Sequence, residues 1–230
     1  MPKGIGKAFQ DAIDGAYEEG VTKTTGVILL NPQRRRILEY LCLRPFSTSG
    51  RTANDLKLSP SSVEWHLRAL VTSGFVAQSK EKGFFYPKDF VDFSDADLFT
   101  TMHAPKRRDV LRAVFDSPGI SQIEIGNDLS IGRQVVSKIL TELETIGFIT
   151  KVVDGRFIRL YPTELLSEKQ DAQRSKSRTY VNTLLKRLED ERQTVQVLRR
   201  TETELQLRLG RGRDRGILSI PLDPFGALVA

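Results

Sequence analysis

Arg133, Gln134, Ser137, Lys138 and Thr141 are spaced one, three, one and three residues apart, which puts them on a single stripe of a helix. A guanidinium can bridge two acceptors on a base edge, and a carboxamide can match the donor and acceptor of adenine. An ammonium or a hydroxyl can reach a phosphate oxygen. This is hydrogen-bonding chemistry directed at a nucleic acid, with no group placed to make or break a covalent bond. Arg156, with Lys151 and Arg159 behind it, stands at a turn from which it can touch phosphate or the minor groove.

An earlier stretch offers a less uniform set: Ser61, Ser62, Glu64, Trp65 and Arg68. Glu64 repels phosphate and can accept only from cytosine, while the indole of Trp65 must stack, wedge or pack. Arg34, Arg35 and Arg36, with Arg51, Lys80 and Lys82, supply positive charge around that stretch. Basic side chains in the first turn of a helix oppose its dipole, so something other than helix stability keeps the arginines there. Direct contact with DNA and contact with a protein both remain open for this half.

The elements that must position these residues occur twice. Thirteen residues between Pro32 and Phe75 recur without a gap 73 positions later, among them Leu38 as Leu111, Val63 as Val136, Leu67 as Leu140, Leu70 as Leu143 and Phe75 as Phe148. Asn31 with Pro32, and Ser59 with Pro60, read as helix starts. Val63, His66, Leu67 and Leu70 follow helical spacing, and Gly74 ends the run. Each copy closes on a short apolar hairpin ending in Tyr-Pro, turning at Lys82-Gly83 in the first and at Asp154-Gly155 in the second. The second hairpin is two residues longer, and its module begins with a helix capped by Ser94.

The order of helix, helix, helix and hairpin predicts a mainly α chain with small β wings, an α+β fold of two tandem winged helix-turn-helix domains at 31–93 and 94–165. Residues 1–30 read as a docking segment, with Phe9, Ile13, Ala16 and Tyr17 at helical spacing. Residues 166–209 predict a long helix, because Val181, Leu184, Leu188, Val195, Leu198, Leu205 and Leu209 share one heptad register whose two remaining slots hold Glu191 and Glu202. Val181 to Leu205 on that seam form the expected dimer interface, with folding back onto the modules as the alternative. Residues 210–230 form a basic, then apolar, tail.

Composition narrows the functional classes. The net charge is +6 over 230 residues, and it is unevenly spread. Residues 31–90 hold ten Lys and Arg against five Asp and Glu, 94–165 hold nine against ten, and 166–216 hold thirteen against eight. A basic chain suits a nucleic-acid partner, though the second module is close to neutral. One cysteine, Cys42, forms no disulfide within the chain, and with His66 and His103 it makes no metal-ligand spacing. No metal or cofactor is expected. No phosphate-binding glycine loop or nucleophile motif suggests an enzyme, and no apolar run suggests a membrane span.

The stretch from Leu58 to Val76, with Ser59-Pro60-Ser61-Ser62-Val63-Glu64-Trp65-His66-Leu67, resembles the recognition-helix signature of ArsR-type winged-helix regulators. Leu129 to Ile149 is similar to the wider MarR and ArsR superfamily. The resemblance implies a homodimeric transcription regulator of archaeal type that binds double-stranded DNA, and the lone cysteine with no signal-peptide or membrane-spanning run adds the expectation of a cytoplasmic, nucleoid-associated protein. Winged helices also serve as protein-docking adaptors, so a partner in the transcription machinery is the rival expectation.

Overall fold

The computed structural model describes residues 28–155, 157–190, 193–212 and 214–230. The expected docking helix around Phe9 to Tyr17 therefore lies outside the described residues, as does Arg156. The chain is mixed α and β, with small antiparallel sheets.

Asn31 opens the first helix. Its side chain accepts from the N–H groups of Gln33 and Arg34, and Pro32 takes the first helical position. Helix α1 (Pro32–Leu43) leads to α2 (Ser49–Leu56), capped by Thr48, and α3 (Pro60–Thr72), capped by Ser59. The hairpin of β1 (Val76–Ser79) and β2 (Phe84–Pro87) closes the unit. After helix α4 (Ala96–Met102), the same order returns as α5 (Pro105–Asp116), α6 (Gln122–Asp128), α7 (Arg133–Ile146), β3 (Ile149–Asp154) and β4 (Phe157–Pro162).

The repeated apolar residues are those that fill the interior: Leu38 and Leu111, Val63 and Val136, Leu70 and Leu143, and Phe75 and Phe148 are all buried. Even a small bridge recurs. The N–H of Phe85 donates to the carbonyl of Ser47, and Leu160 pairs in the same way with Ile120. Gly74 and Gly147 end α3 and α7 at φ 75° and 91°, values that side-chain-bearing residues rarely adopt.

One expected cap is corrected. Ser94 does not start α4, because the carboxylate of Asp92 accepts from both the backbone N–H and the hydroxyl of Ser94. That local turn sets up a short 3-10 segment, Phe93–Asp95, ahead of the helix.

The larger correction concerns the expected helix over 166–209. Helix α8 (Leu165–Asp190) stops short of it, and the chain then forms β5 (Val195–Arg200), β6 (Glu204–Arg211) and β7 (Asp214–Pro221), a three-stranded antiparallel sheet. The physical reason is the period of two in Leu205, Leu207 and Leu209, all fully buried, with Gln206 and Arg208 between them. A heptad uses Leu205 and Leu209 but leaves Leu207 off its seam. Gly212, at positive φ, turns the chain from β6 to β7, while Gly210, also at positive φ, lies within the end of β6 opposite Arg215. Val181, Leu184 and Leu188 face the chain's own core, as does Leu205, while Val195 and Leu198 are half-buried on β5. Val181, Leu184, Leu188 and Leu205 are thus spent within the chain, and the seven residues do not form one continuous helical seam.

The terminal stretch is likewise docked. β7 lies against α1, where the carboxylate of Glu39 accepts the edge N–H of Ser219 at 2.7 Å. Arg112 donates to the backbone oxygens of Val229 and Ala230, and Phe225 packs on Phe99.

Helix α8 is held to the first module by a buried polar network. Gln173 donates to the carbonyl of Phe90 and to Ser177, whose hydroxyl donates to the carbonyl of Leu222. Lys176 pairs with Asp92 and Lys169 with Asp95. The two modules meet at His103, whose carbonyl accepts from Arg51 at 2.6 Å and Arg108 at 2.8 Å while its ring Nε2 lies 3.0 Å from the carbonyl of Pro45. A carbonyl can only accept, so Nε2 carries a proton, and burial beside Arg51 lowers the pKa of the ring to about 4, which favours its neutral form.

Candidate nucleic-acid interface

Val136, Ile139, Leu140 and Leu143 turn one side of α7 into the second module. Arg133, Gln134, Ser137, Lys138 and Thr141 are therefore exposed together on the other side, as their spacing predicts. Among the described residues, neither Arg133 nor Lys138 makes an ion pair. The cap of α7 is Gly132, which has no side chain to accept from the first-turn N–H groups. Those groups stay at the positive end of the helix dipole, a setting that favours phosphate. Thr141 donates its hydroxyl proton to the carbonyl of Ser137, which leaves its oxygen as an acceptor.

Other charges of this module are used internally. Arg107 of α5 pairs with Glu142 and holds that carboxyl below its ordinary range. Lys151 pairs with Glu144 across the foot of the hairpin. Arg159 donates to the carbonyl of Gly119, lies near Glu124 and Asp154, and stacks on Phe157. Four acidic residues of this module, Glu124, Glu142, Glu144 and Asp154, are thus answered within it, whereas Arg133 and Lys138 make no direct ion pair among the described residues, Lys138 acting on Glu142 only at longer range.

Helix α3 presents a different surface. Ser61, Glu64, Trp65 and Arg68 are exposed, and Ser62 is half-buried, its N–H donating to the cap Ser59. Trp65 is 42% exposed and has the guanidinium of Arg34 over its ring, 4.8 Å from the centroid. Burial lowers the pKa of Arg34. Its Nε is buried with no acceptor among the described residues. Arg34 therefore reaches this face as a stacking partner for Trp65, a contact that sequence spacing does not announce.

Two residues expected at the interface are held elsewhere. Arg35 points away from it: its Nη1 donates to the carbonyls of Leu29 at 2.9 Å and Leu30 at 2.7 Å, bracing the 3-10 turn Ile28–Leu30. The preceding chain leaves two carbonyls beside the start of α1, and a guanidinium satisfies both. Lys82 at the first hairpin turn is bonded to Asp97 at 2.8 Å, so its charge is shared with the next module. Arg36 and Arg68 are exposed and, among the described residues, unpaired. No group of His, Cys, Asp and Glu suited to a metal is present among the described residues, and none of their helices is long and apolar enough to cross a membrane.

Residues 31–78 match the profile of bacterial regulatory proteins of the arsR family. A Methanocaldococcus jannaschii protein named as an uncharacterized HTH-type transcriptional regulator is 26% identical over 139 residues, which is 60% of this chain. The chain spans about a third of that relative's length, 35%. Among solved structures, the transcriptional regulator SlyA is similar at 21% identity and a TM-score of 0.27, covering 43% of this chain and 80% of its own. ScpB from Mycobacterium tuberculosis aligns at 18% identity and a TM-score of 0.25 over 59% and 92%. The PcaV regulator from Streptomyces coelicolor, solved with its natural ligand, aligns at 16% and 0.25 over 61% and 91%. Such scores are too low for any of the three to support a reading of this chain.

Proposed function

We propose that this chain, whose residues 31–78 carry an ArsR-family helix-turn-helix domain, is a sequence-specific DNA-binding transcription regulator built on two winged helices in tandem, 31–93 and 94–165. The observation that carries the reading is the exposed stripe of α7, where Arg133 and Lys138 stand free of ion pairs beside Gln134, Ser137 and Thr141. The first turn of such a helix enters the major groove. Arg133 then reaches the two acceptors of a guanine, Gln134 an adenine, and Lys138 and Ser137 the flanking phosphates. Helix α3 adds Arg68, Ser61 and the Arg34 and Trp65 pair, a flat surface that stacks or wedges where α7 hydrogen-bonds. The name of the archaeal relative supports the same class of activity.

The test is retardation of genomic DNA fragments across a salt series. Phosphate contacts release counterions, so affinity falls about tenfold or more between low and physiological salt. Fragments that run unretarded at low salt go against the reading.

An adaptor that docks on a protein of the transcription machinery, or on a second copy of the chain, is the second reading. It is favoured by the β3 and β4 hairpin, where Val153 is 76% exposed and sits opposite the exposed Ile158, with Val152 also exposed. Apolar side chains at a wing tip suit a protein surface better than a phosphate backbone.

A further inference from the structure

We infer that the cleft between α8 and the β5 to β6 turn is a binding site for a small organic anion, a carboxylate or phosphate monoester with a short apolar stem. The cleft measures about 360 Å³, at the lower end of the range of small-molecule pockets. Its walls carry three guanidinium groups: Arg174 and Arg178 from one face of α8, and Arg200 from the end of β5. Its floor is Val181 and Leu222, both buried, with the hydroxyl of Ser177 already committed to the carbonyl of Leu222.

The chain's own Glu202, at the tip of the turn, shows what this arrangement recognises. Its Oε1 lies 3.2 Å from Arg178 and its Oε2 3.7 Å from Arg174, so one carboxylate spans two guanidinium groups. Arg200 donates to the neutral side chain of Asn182, and Arg174 also meets Asp171. Three cations thus line the cleft against Glu202 and Asp171, and the charge of Arg200 is unanswered among the described residues. Planar guanidinium forks match carboxylate and phosphate oxygens in pairs.

Glu202 is itself 58% exposed. The turn that bears it is fixed independently, since the hydroxyl of Thr201 accepts from the N–H groups of Thr203 and Glu204. A ligand anion can therefore displace the Glu202 side chain without unfolding the turn, and its stem rests on Val181 and Leu222. Ser177 links this floor through Gln173 to Phe90, so the occupant lies one side chain from the joint between α8, the first module and the terminal sheet.

This inference does not rest on the DNA-binding reading and is tested without DNA. Calorimetric titration of the full chain with inorganic phosphate and with succinate, at ionic strength matched by chloride, is expected to give saturable one-to-one binding of at least one probe. Binding of phosphate alone points to a phosphate monoester, and binding of succinate alone to a carboxylate. Arg178→Ala and Arg200→Ala, both surface truncations checked by circular dichroism, are expected to weaken binding about tenfold each. Glu202→Gln is expected to tighten it, because the competing carboxylate is gone, and Lys138→Ala on α7 is expected to leave it unchanged. The inference is overturned if neither probe saturates, if folded Arg178→Ala and Arg200→Ala bind as the parent does, or if Lys138→Ala removes the binding.

Discussion

Arg35 and Arg108, 73 positions apart, make the same contact: each Nη1 bonds two consecutive backbone carbonyls, those of Leu29 and Leu30 for one and of Met102 and His103 for the other. This explains why an arginine stands in the first turn of α1 and of α5 against the helix dipole. Each ties the incoming chain to its module's first helix. Arg35→Ala or Arg108→Ala is predicted to cost about 1 to 2 kcal/mol in urea unfolding, because two carbonyls lose a charged donor. Arg36→Ala, on an exposed neighbour, is predicted to change stability by less than about 0.5 kcal/mol. Equal effects at Arg35 and Arg36 would contradict the clamp.

Stability is predicted to fall as the pH drops from 6.5 towards 4. Burial, with Arg51 nearby, lowers the pKa of His103 to about 4, and burial also lowers that of His66. In this window the unfolded chain binds protons that the folded chain refuses, so stability rises with pH, is fully present above the unfolded pKa, and is lost as pH falls towards the folded value. The contribution of His103 is on the order of 3 kcal/mol at neutral pH. His103→Gln, which keeps a donor for Pro45, is predicted to flatten the profile between pH 4.5 and 6.5 in unfolding curves, and an unchanged slope would contradict the assignment.

Leu207→Asp separates the terminal sheet from a long helix. Leu207 lies off the heptad seam, so a coiled coil would tolerate the change at an outer position. In the sheet it buries a charge among Leu205, Leu209 and Leu218. The predicted cost is about 3 to 5 kcal/mol, seen as a large drop in the thermal midpoint by circular dichroism. A variant as stable as the parent would rule out the sheet.

Glu64→Gln tests what α3 faces. Glu64 is exposed beside Trp65, and among the described residues it has no ion-pair partner. The predicted result is tighter binding to all DNA sequences, by about two- to fivefold at low salt, because a repulsion from phosphate is removed. Weaker binding confined to one base pair would instead make Glu64 a reader of cytosine.

The repeat made most of the fold legible, because Leu38, Val63, Leu70 and Phe75 and their partners 73 residues on are core residues, and a core constrains residue type. The outward stripe of α7 followed directly, since fixing Val136, Leu140 and Leu143 inward fixes Arg133 and Lys138 outward. The terminal sheet was hidden by a coincidence of spacing: leucines four apart at Leu205 and Leu209 satisfy a heptad as well as a strand, and only Leu207 between them distinguishes the two. Contacts that depend on how elements cross were not legible at all. Arg34 over Trp65, Arg107 on Glu142 and Lys82 on Asp97 each join residues 15 or more positions apart, through packing angles that no local period encodes.

The most direct test of a base-reading α7 is the affinity of Arg133→Ala for the chain's preferred duplex and for a scrambled one, measured side by side with the parent by fluorescence anisotropy. Loss of a paired contact to guanine predicts a cost of about 1 to 3 kcal/mol on the preferred duplex and little change on the scrambled one, so that sequence preference shrinks. Unchanged affinity and preference in Arg133→Ala, with specificity lost instead on substituting Glu64 or Trp65, would contradict the account.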